Sequence, residues 1–328
     1  MTAPRLASGV ALAVSSSLAF GTSGTIVKPL LASGWTPAAA VTARVLLAAV
    51  VLAIPAAIAL RGRFRMLWRA RTRILLFAVF AVAGTQLGYF AAVQRIPVST
   101  ALLIEYLAPV VLVLIAWART RRRPAVVVLA GAALAVLGLV LVIGTEGLGR
   151  LDPLGVLFAA LAAVGLGVYF VLAARTDDGT PPLAMTASSL LVGGLILAAF
   201  AGVGILPFAT STAEVALAGV EMPWFVPVIA VALVSTAFAY TAGITGAGRL
   251  GARLASFLGL LEVVFASGFS WLLLGETLGA EQLLGAVFIL GGVMLIRFDA
   301  RTVPEADAVV AGTEPLPIRD PFSAPPPR

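Results

Sequence analysis

The sequence predicts an all-α integral membrane protein of ten transmembrane helices, arranged as two inverted five-helix repeats with N- and C-termini cytoplasmic. Three observations predict it. Of 328 residues, 61% are hydrophobic and only 11% are charged, whereas a soluble domain runs at roughly 45–50% and 25%. Apolar stretches recur along the chain, each near the roughly 20 residues that cross about 30 Å of hydrocarbon. The second half also repeats the first at a nearly constant offset.

In order, the spans fall near residues 7–27, 36–60, 74–94, 97–117, 125–144, 153–173, 183–203, 224–246, 253–274 and 281–297. The first has Arg5 ahead of it and could pass for a signal peptide. Its counterpart in the repeat is an ordinary mid-chain span, so it is read as a transmembrane helix. Beyond Arg301 the chain turns polar and Pro-rich, and is expected to be a disordered cytoplasmic tail. The domain reading is therefore a first repeat over 1–148, a second over 149–300, and the tail over 301–328.

Orientation follows from the basic residues, which gather on the cytoplasmic side of membranes. With the N-terminus inside, 18 of the 22 Lys and Arg lie inside, among them Arg61 to Arg73 and Arg119 to Arg123; Lys28, Arg95 and Arg150 lie outside, and Arg44 lies within a span. Trp35, Trp224 and Trp271 then fall at outer span ends, with Trp68 and Trp117 at inner ones, as interfacial rings should.

The repeat rests on residues that are scarce in so apolar a chain. At an offset of 154, Arg95 meets Arg249, Trp117 meets Trp271, Gly131 meets Gly285 and Gly138 meets Gly292. At 144, Thr36-Pro37 meets Thr180-Pro181. An odd number of spans per copy makes the copies inverted. Such bundles place a substrate site near the bilayer midplane and suit alternating access.

Composition excludes much chemistry. Cys, His and Asn are absent, which removes disulfides, Cys- or His-based metal sites, and nucleophile–base pairs built on either residue. No metal or cofactor is expected, and the chain is not read as an enzyme. The net charge of +7 belongs to short loops rather than to one face, so no nucleic-acid partner is expected. Gly246-Ala-Gly-Arg-Leu-Gly251 fits a dinucleotide fingerprint in letters only, since it falls in an expected inner loop with no strand before it.

In the fourth and fifth spans the chain reads Ala101-Leu-Leu-Ile-Glu-Tyr-Leu-Ala-Pro109, then Trp117, Gly131 and Gly138. In the ninth and tenth it reads Ala255-Ser-Phe-Leu-Gly-Leu-Leu-Glu262, then Trp271-Leu-Leu-Leu-Gly275-Glu276, Gly285 and Gly292. Here the chain resembles the drug/metabolite transporter superfamily, specifically EamA-type carriers with two five-helix repeats. Two departures stand out: Glu262 is followed by Val263 where that family has Pro, and Arg121 to Arg123 replace its Gly-Glu after the fourth span. The resemblance implies a secondary transporter in the plasma (bacterial inner) membrane, with a small molecule, protons and the lipid bilayer as its partners. The Glu105-Tyr106 pair is similar to the branch of threonine and homoserine exporters, which implies an amino-acid-like metabolite exported in exchange for protons. Two other readings stay open: efflux of cationic lipophilic compounds with a Glu as counter-ion, and a membrane scaffold or sensor that transports nothing.

Three charges stand inside spans: Arg44, Glu105 and Glu262. Charge at the centre of a membrane helix is costly and by default faces the bundle interior. The glutamates are candidates for proton exchange or for binding an ammonium group. Arg44 is a candidate clamp for a substrate carboxylate, or a partner that neutralises one Glu; the plainer alternative is an Arg–Glu pair locking helices together. Gln86, Tyr89, Tyr106 and Tyr240, with Gln94, either line the cavity or bond between helices. Pro109, one turn beyond Glu105, removes an N–H and so could shape the site. Ser15 to Ser17 are expected to permit close packing or to bond to their own helix's carbonyls rather than to touch substrate.

Overall fold

The computed structural model describes residues 3–108, 110, 117, 121, 125–143, 151–175, 179–277 and 279–298. Pro109, the expected tail and much of the expected span 97–117 lie outside them. Helices dominate. In chain order they are α1 (Ala3–Ala32), α2 (Pro37–Leu60), α3 (Arg65–Arg69), α4 (Arg71–Leu76), α5 (Thr85–Val93), α6 (Val98–Glu105), α7 (Val126–Ile143), α8 (Pro153–Ala173), α9 (Pro182–Gly202), α10 (Phe225–Ala232), α11 (Ala239–Gly259), α12 (Leu261–Leu274) and α13 (Ala280–Phe298).

Two π-helical segments, Phe77–Gly84 and Leu233–Phe238, join α4 to α5 and α10 to α11. Each carries the mark of a widened turn. Thr85 Oγ1 donates to the carbonyl five residues back at Phe80, and Thr236 Oγ1 does the same to Val231, each at 2.8 Å. Both lie in the third span of their repeat, and π-bulges of this kind gather at functional sites.

Among the described residues, seven helices are long and apolar enough to cross a membrane, and Val126–Leu141 and Leu283–Ile296 are shorter apolar helices. The expected span 97–117 is represented by α6, which stops at Glu105. Ten spans therefore remain the sequence's expectation, and the structure supplies seven by this measure.

Helix starts follow the sequence. Thr36 caps α2 ahead of Pro37, and Asp152 caps α8 ahead of Pro153 by accepting from the Leu154 N–H at 2.8 Å. Proline at the first helical position loses nothing, because its N–H would be unpaired there anyway. The Arg95 guanidinium, 2.8 Å from Asp152, holds that exposed carboxyl below the usual carboxylate range, helped by the Leu154 N–H.

Contacts between the halves come in exchanged pairs. Arg95 bonds Asp152, and its repeat counterpart Arg249 bonds Ser8, each at 2.8 Å. Ser8 and Asp152 are themselves 144 positions apart. A methyl group added at Gly131 would lie 2.6 Å from the Gly292 carbonyl oxygen, and one at Gly138 would lie 2.6 Å from that of Gly285. Helices α7 and α13 therefore cross antiparallel through their glycines, each glycine meeting the repeat counterpart of the other glycine on its own helix. The remaining packing runs mainly α1 on α11 and α12, α2 on α9, and α5 on α8.

Three local expectations differ. The glycine run 246–251, expected as a loop, lies within α11; only Gly251, at φ 80°, breaks the helical backbone. Gly246 is there for closeness, since a methyl group on it would come within 3.1 Å of the Ala13 nitrogen in α1. A hairpin, β1 (Val215–Leu217) with β2 (Val220–Met222), occupies the connection before α10, turning on Ala218 and Gly219 with positive φ at both. Trp35 is buried, its Nε1 donating to the Ser211 carbonyl at 2.8 Å and its ring 5.5 Å from Trp224. Trp68 and Trp271 stay exposed, as an interfacial ring would.

Candidate functional site

A cavity lies among α1, the π segment and start of α5, α6, α8, α11 and the α11–α12 junction. It draws on both halves. About 50 Å³ is reachable by the centre of a water molecule, against roughly 10–15 Å³ needed for one water. In this conformation it has room for a few waters rather than for a metabolite.

Both intramembrane glutamates line it. Glu105 is the last residue of α6, where the chain tightens: Tyr106 has ψ near 2°, and the Leu107 N–H reaches only to Ile104, at 3.1 Å. Glu105 is 6% exposed, and its Oε2 has no hydrogen-bond partner. Glu262 stands in the first turn of α12, where Oε2 accepts from the Tyr106 hydroxyl at 2.9 Å. The two carboxylates, one from each repeat, thus line one cavity, with Tyr106 bonded to the second of them.

Gln86 and Tyr240 form the wall beside them. Gln86 Nε2 donates to the Tyr240 hydroxyl at 2.7 Å, and that hydroxyl donates to the Ala81 carbonyl at 2.9 Å. These two residues are repeat counterparts, 154 positions apart. The π segment presents the Ala81 carbonyl at this spot.

Arg44, 1% exposed, stands behind Gln86 and is not part of the cavity wall. One terminal nitrogen donates to Ser23 Oγ at 2.8 Å and the other to Gln86 Oε1, while the guanidinium lies 4.3 Å from the Phe90 ring centre. Neither expected geometry is present: no carboxylate clamp opens into the cavity, and no ion pair joins Arg44 to Glu105 or Glu262. Its fork is spent on fixing the Gln86 amide, and only Nε is left without a partner.

Of the expected site residues, Gln86, Glu105, Tyr106, Tyr240 and Glu262 come together in the cavity. Tyr89 does not. It packs in the layer above, where a methyl group on Gly24 would lie 2.2 Å from its hydroxyl. Gln94 lies in a separate apolar crevice beside Phe158. Ser16 and Ser17 bond across helices, to the Ala239 and Leu258 carbonyls. Sequence reasoning passed over Tyr169 and Phe20, which also line the cavity. Tyr169 is one of only four tyrosines in the chain, and the criterion that picked out Tyr89, Tyr106 and Tyr240 applied equally to it.

Toward the other end of α1, past Ser23 and its bond from Arg44, an ionic clasp ties the bundle together. The Lys28 ammonium in α1 pairs with Glu276 Oε1, just past the end of α12, and Glu276 Oε2 accepts from the Val98 N–H at 3.1 Å. One carboxylate thereby ties α1, the start of α6 and the end of α12 together.

Two segments, residues 7–144 and 153–298, each match the family model described as the EamA-like transporter family. The chain belongs to the EamA-like transporter family. It is thus a multi-pass membrane protein of a transporter family, not an enzyme, and its two halves are two copies of the family's unit. It is 27% identical over 232 residues to a protein of Salmonella typhimurium described as uncharacterized inner membrane transporter YicL, covering 70% of this chain and 73% of that one. A solved crystal structure of another protein superposes with a TM-score of 0.60 at 21% identity, over 88% of this chain and 96% of that one. That likeness speaks to fold.

Proposed function

We propose that this EamA-like chain is a secondary carrier of the bacterial inner membrane that exports a small amine-bearing metabolite in exchange for protons. It works by alternating access between inverted repeats, divided near residues 148 and 149, with both termini cytoplasmic. The observation that carries the reading is a cavity shared by the halves, lined by one intramembrane glutamate from each, with an ion pair tying the helices on the Lys28 side. The antiparallel crossing of α7 with α13, and the matching contacts of Arg95 with Asp152 and of Arg249 with Ser8, are what a two-fold axis in the membrane plane produces. In this orientation the clasp is external and the cavity, which follows α1 toward Ala13, faces the cytoplasm, the side from which an exporter loads.

An amino-acid-like substrate presents a carboxylate as well as an ammonium group, and the expected clamp for it, Arg44, is engaged elsewhere. That favours the second reading, efflux of cationic compounds, over its zwitterionic rival. Uptake into proteoliposomes under an imposed pH gradient, screened across amino acids and organic cations, tests the function. Accumulation that collapses with the gradient is expected; accumulation of nothing would favour a scaffold.

The clasp gives a separate expectation. Lys28→Glu sets two like charges together, which costs several kcal/mol, and transport falls by about tenfold or more. The exchanged pair Lys28→Glu with Glu276→Lys recovers most of it. A double variant as impaired as the single one would show that the pair has no gating role.

A further inference from the structure

We infer that the group this cavity recognises is a single ammonium on an apolar body, with no carboxylate beside it, and that this cation and one proton compete for the same two glutamates. The inference rests on the carrier reading and specifies its substrate.

The first argument is an inventory of hydrogen atoms. Gln86 Oε1 accepts from Arg44, so its amide nitrogen must face Tyr240. Tyr240 then passes its own proton to the Ala81 carbonyl. Ser16, Ser17 and Thr85 also donate to backbone carbonyls, and Tyr106 donates to Glu262. Among the described lining residues, the Tyr169 hydroxyl and the second hydrogen of the Gln86 amide are the donors not committed in this way. What remains on the wall is mostly acceptors, with Glu105 Oε2 buried and unpartnered among them. A ligand entering here meets lone pairs and must bring hydrogens of its own. A carboxylate brings none.

The second argument is shape. Phe20 stands edge-on to Tyr240 at 5.0 Å and to Tyr169 at 6.3 Å, and those two tyrosines are 5.8 Å apart at 80°. Phe170 continues the group, 5.2 Å from Tyr169. All four rings line the cavity, and an aromatic lining is the surface that accommodates an apolar body and attracts an ammonium group placed over a ring.

The third argument is charge. No Lys or Arg lines the cavity among the described residues. With both carboxylates ionised, Glu105, Glu262 and the nearby Arg44 sum to one negative charge. One monovalent cation neutralises the set, and so does one proton. A zwitterion leaves it as it was. Exchange of one proton for one cation is then electroneutral.

Binding to the detergent-solubilised full chain, measured by titration calorimetry, separates the possibilities with three compounds sharing one body: 2-phenylethylamine, L-phenylalanine and 3-phenylpropionate. The amine stays charged below its pKa of about 10. It is expected to bind at least about tenfold more tightly than phenylalanine, and phenylpropionate not to bind. Lowering the pH by one unit in the range of proton competition weakens the amine by up to about tenfold. Glu105→Gln, checked for a monodisperse elution profile, weakens amine binding and flattens that pH dependence. Equal or tighter binding of phenylalanine, or amine binding indifferent to pH, overturns the inference. The carrier reading would survive that result if phenylalanine accumulated in the gradient-driven uptake assay.

Discussion

Glu105→Gln and Glu262→Gln each reduce gradient-driven transport to background while the amount of protein in the membrane stays at the wild-type level. The substitution keeps shape and removes ionisation. At Glu262 the amide oxygen still accepts from the Tyr106 hydroxyl, which donates at 2.9 Å in the wild type, so the packing at the α12 start is retained. At Glu105 the unpartnered Oε2 loses nothing that holds the fold together. A group kept in the bundle for structure would behave otherwise: breaking a buried pair costs roughly 3–5 kcal/mol and would lower abundance together with activity. Uptake assays paired with immunoblots of membranes separate the outcomes. Wild-type transport by both variants would remove the glutamates from the mechanism.

Gly292→Ala is expected to cut the amount of folded protein several-fold. The new methyl group would sit 2.4 Å from the Gly131 carbonyl oxygen and 2.6 Å from the Ala135 nitrogen. Both are backbone atoms of α7 and cannot rotate away, so the helices must part. Forcing one methyl group into a packed contact costs about 1–3 kcal/mol, enough to change abundance several-fold. Gly268→Ala is the matched control: it too is helical, in α12, but has nothing within 4 Å, and alanine there gains up to about 1 kcal/mol in helix propensity. Equal abundance of the two variants, by fluorescence size-exclusion of fusion proteins, would mean that the α7–α13 crossing is not a tight contact.

Much of this architecture is written in scarce letters. Arg, Trp and paired Gly survive in an apolar background because each does something lipid-facing Leu or Ala cannot, and so Arg95 with Arg249 and Gly131 with Gly285 betrayed the repeat. The intramembrane glutamates were equally visible, since membrane helices rarely carry charge without a purpose. Arg44 was visible for the same reason but its role was not. Whether a guanidinium faces a cavity or a neighbouring Gln86 depends on tertiary packing that spacing does not encode. The π segments were hidden for a related reason. Thr85 and Thr236 bond to carbonyls five residues back, and helical periodicity alone does not distinguish that from an ordinary turn. The 215–222 hairpin is too short for an alternation to register.

The central claim, that the two halves face opposite ways around the glutamate cavity, is best tested by side-specific labelling of single cysteines. The chain has none of its own, so the background is clean. Arg63 follows the second helix of the first repeat and Thr212 follows that of the second, and both are exposed. A membrane-impermeant maleimide applied to intact spheroplasts should modify Thr212→Cys and spare Arg63→Cys, with the reverse in inverted vesicles. Modification of both from the same side would contradict the account.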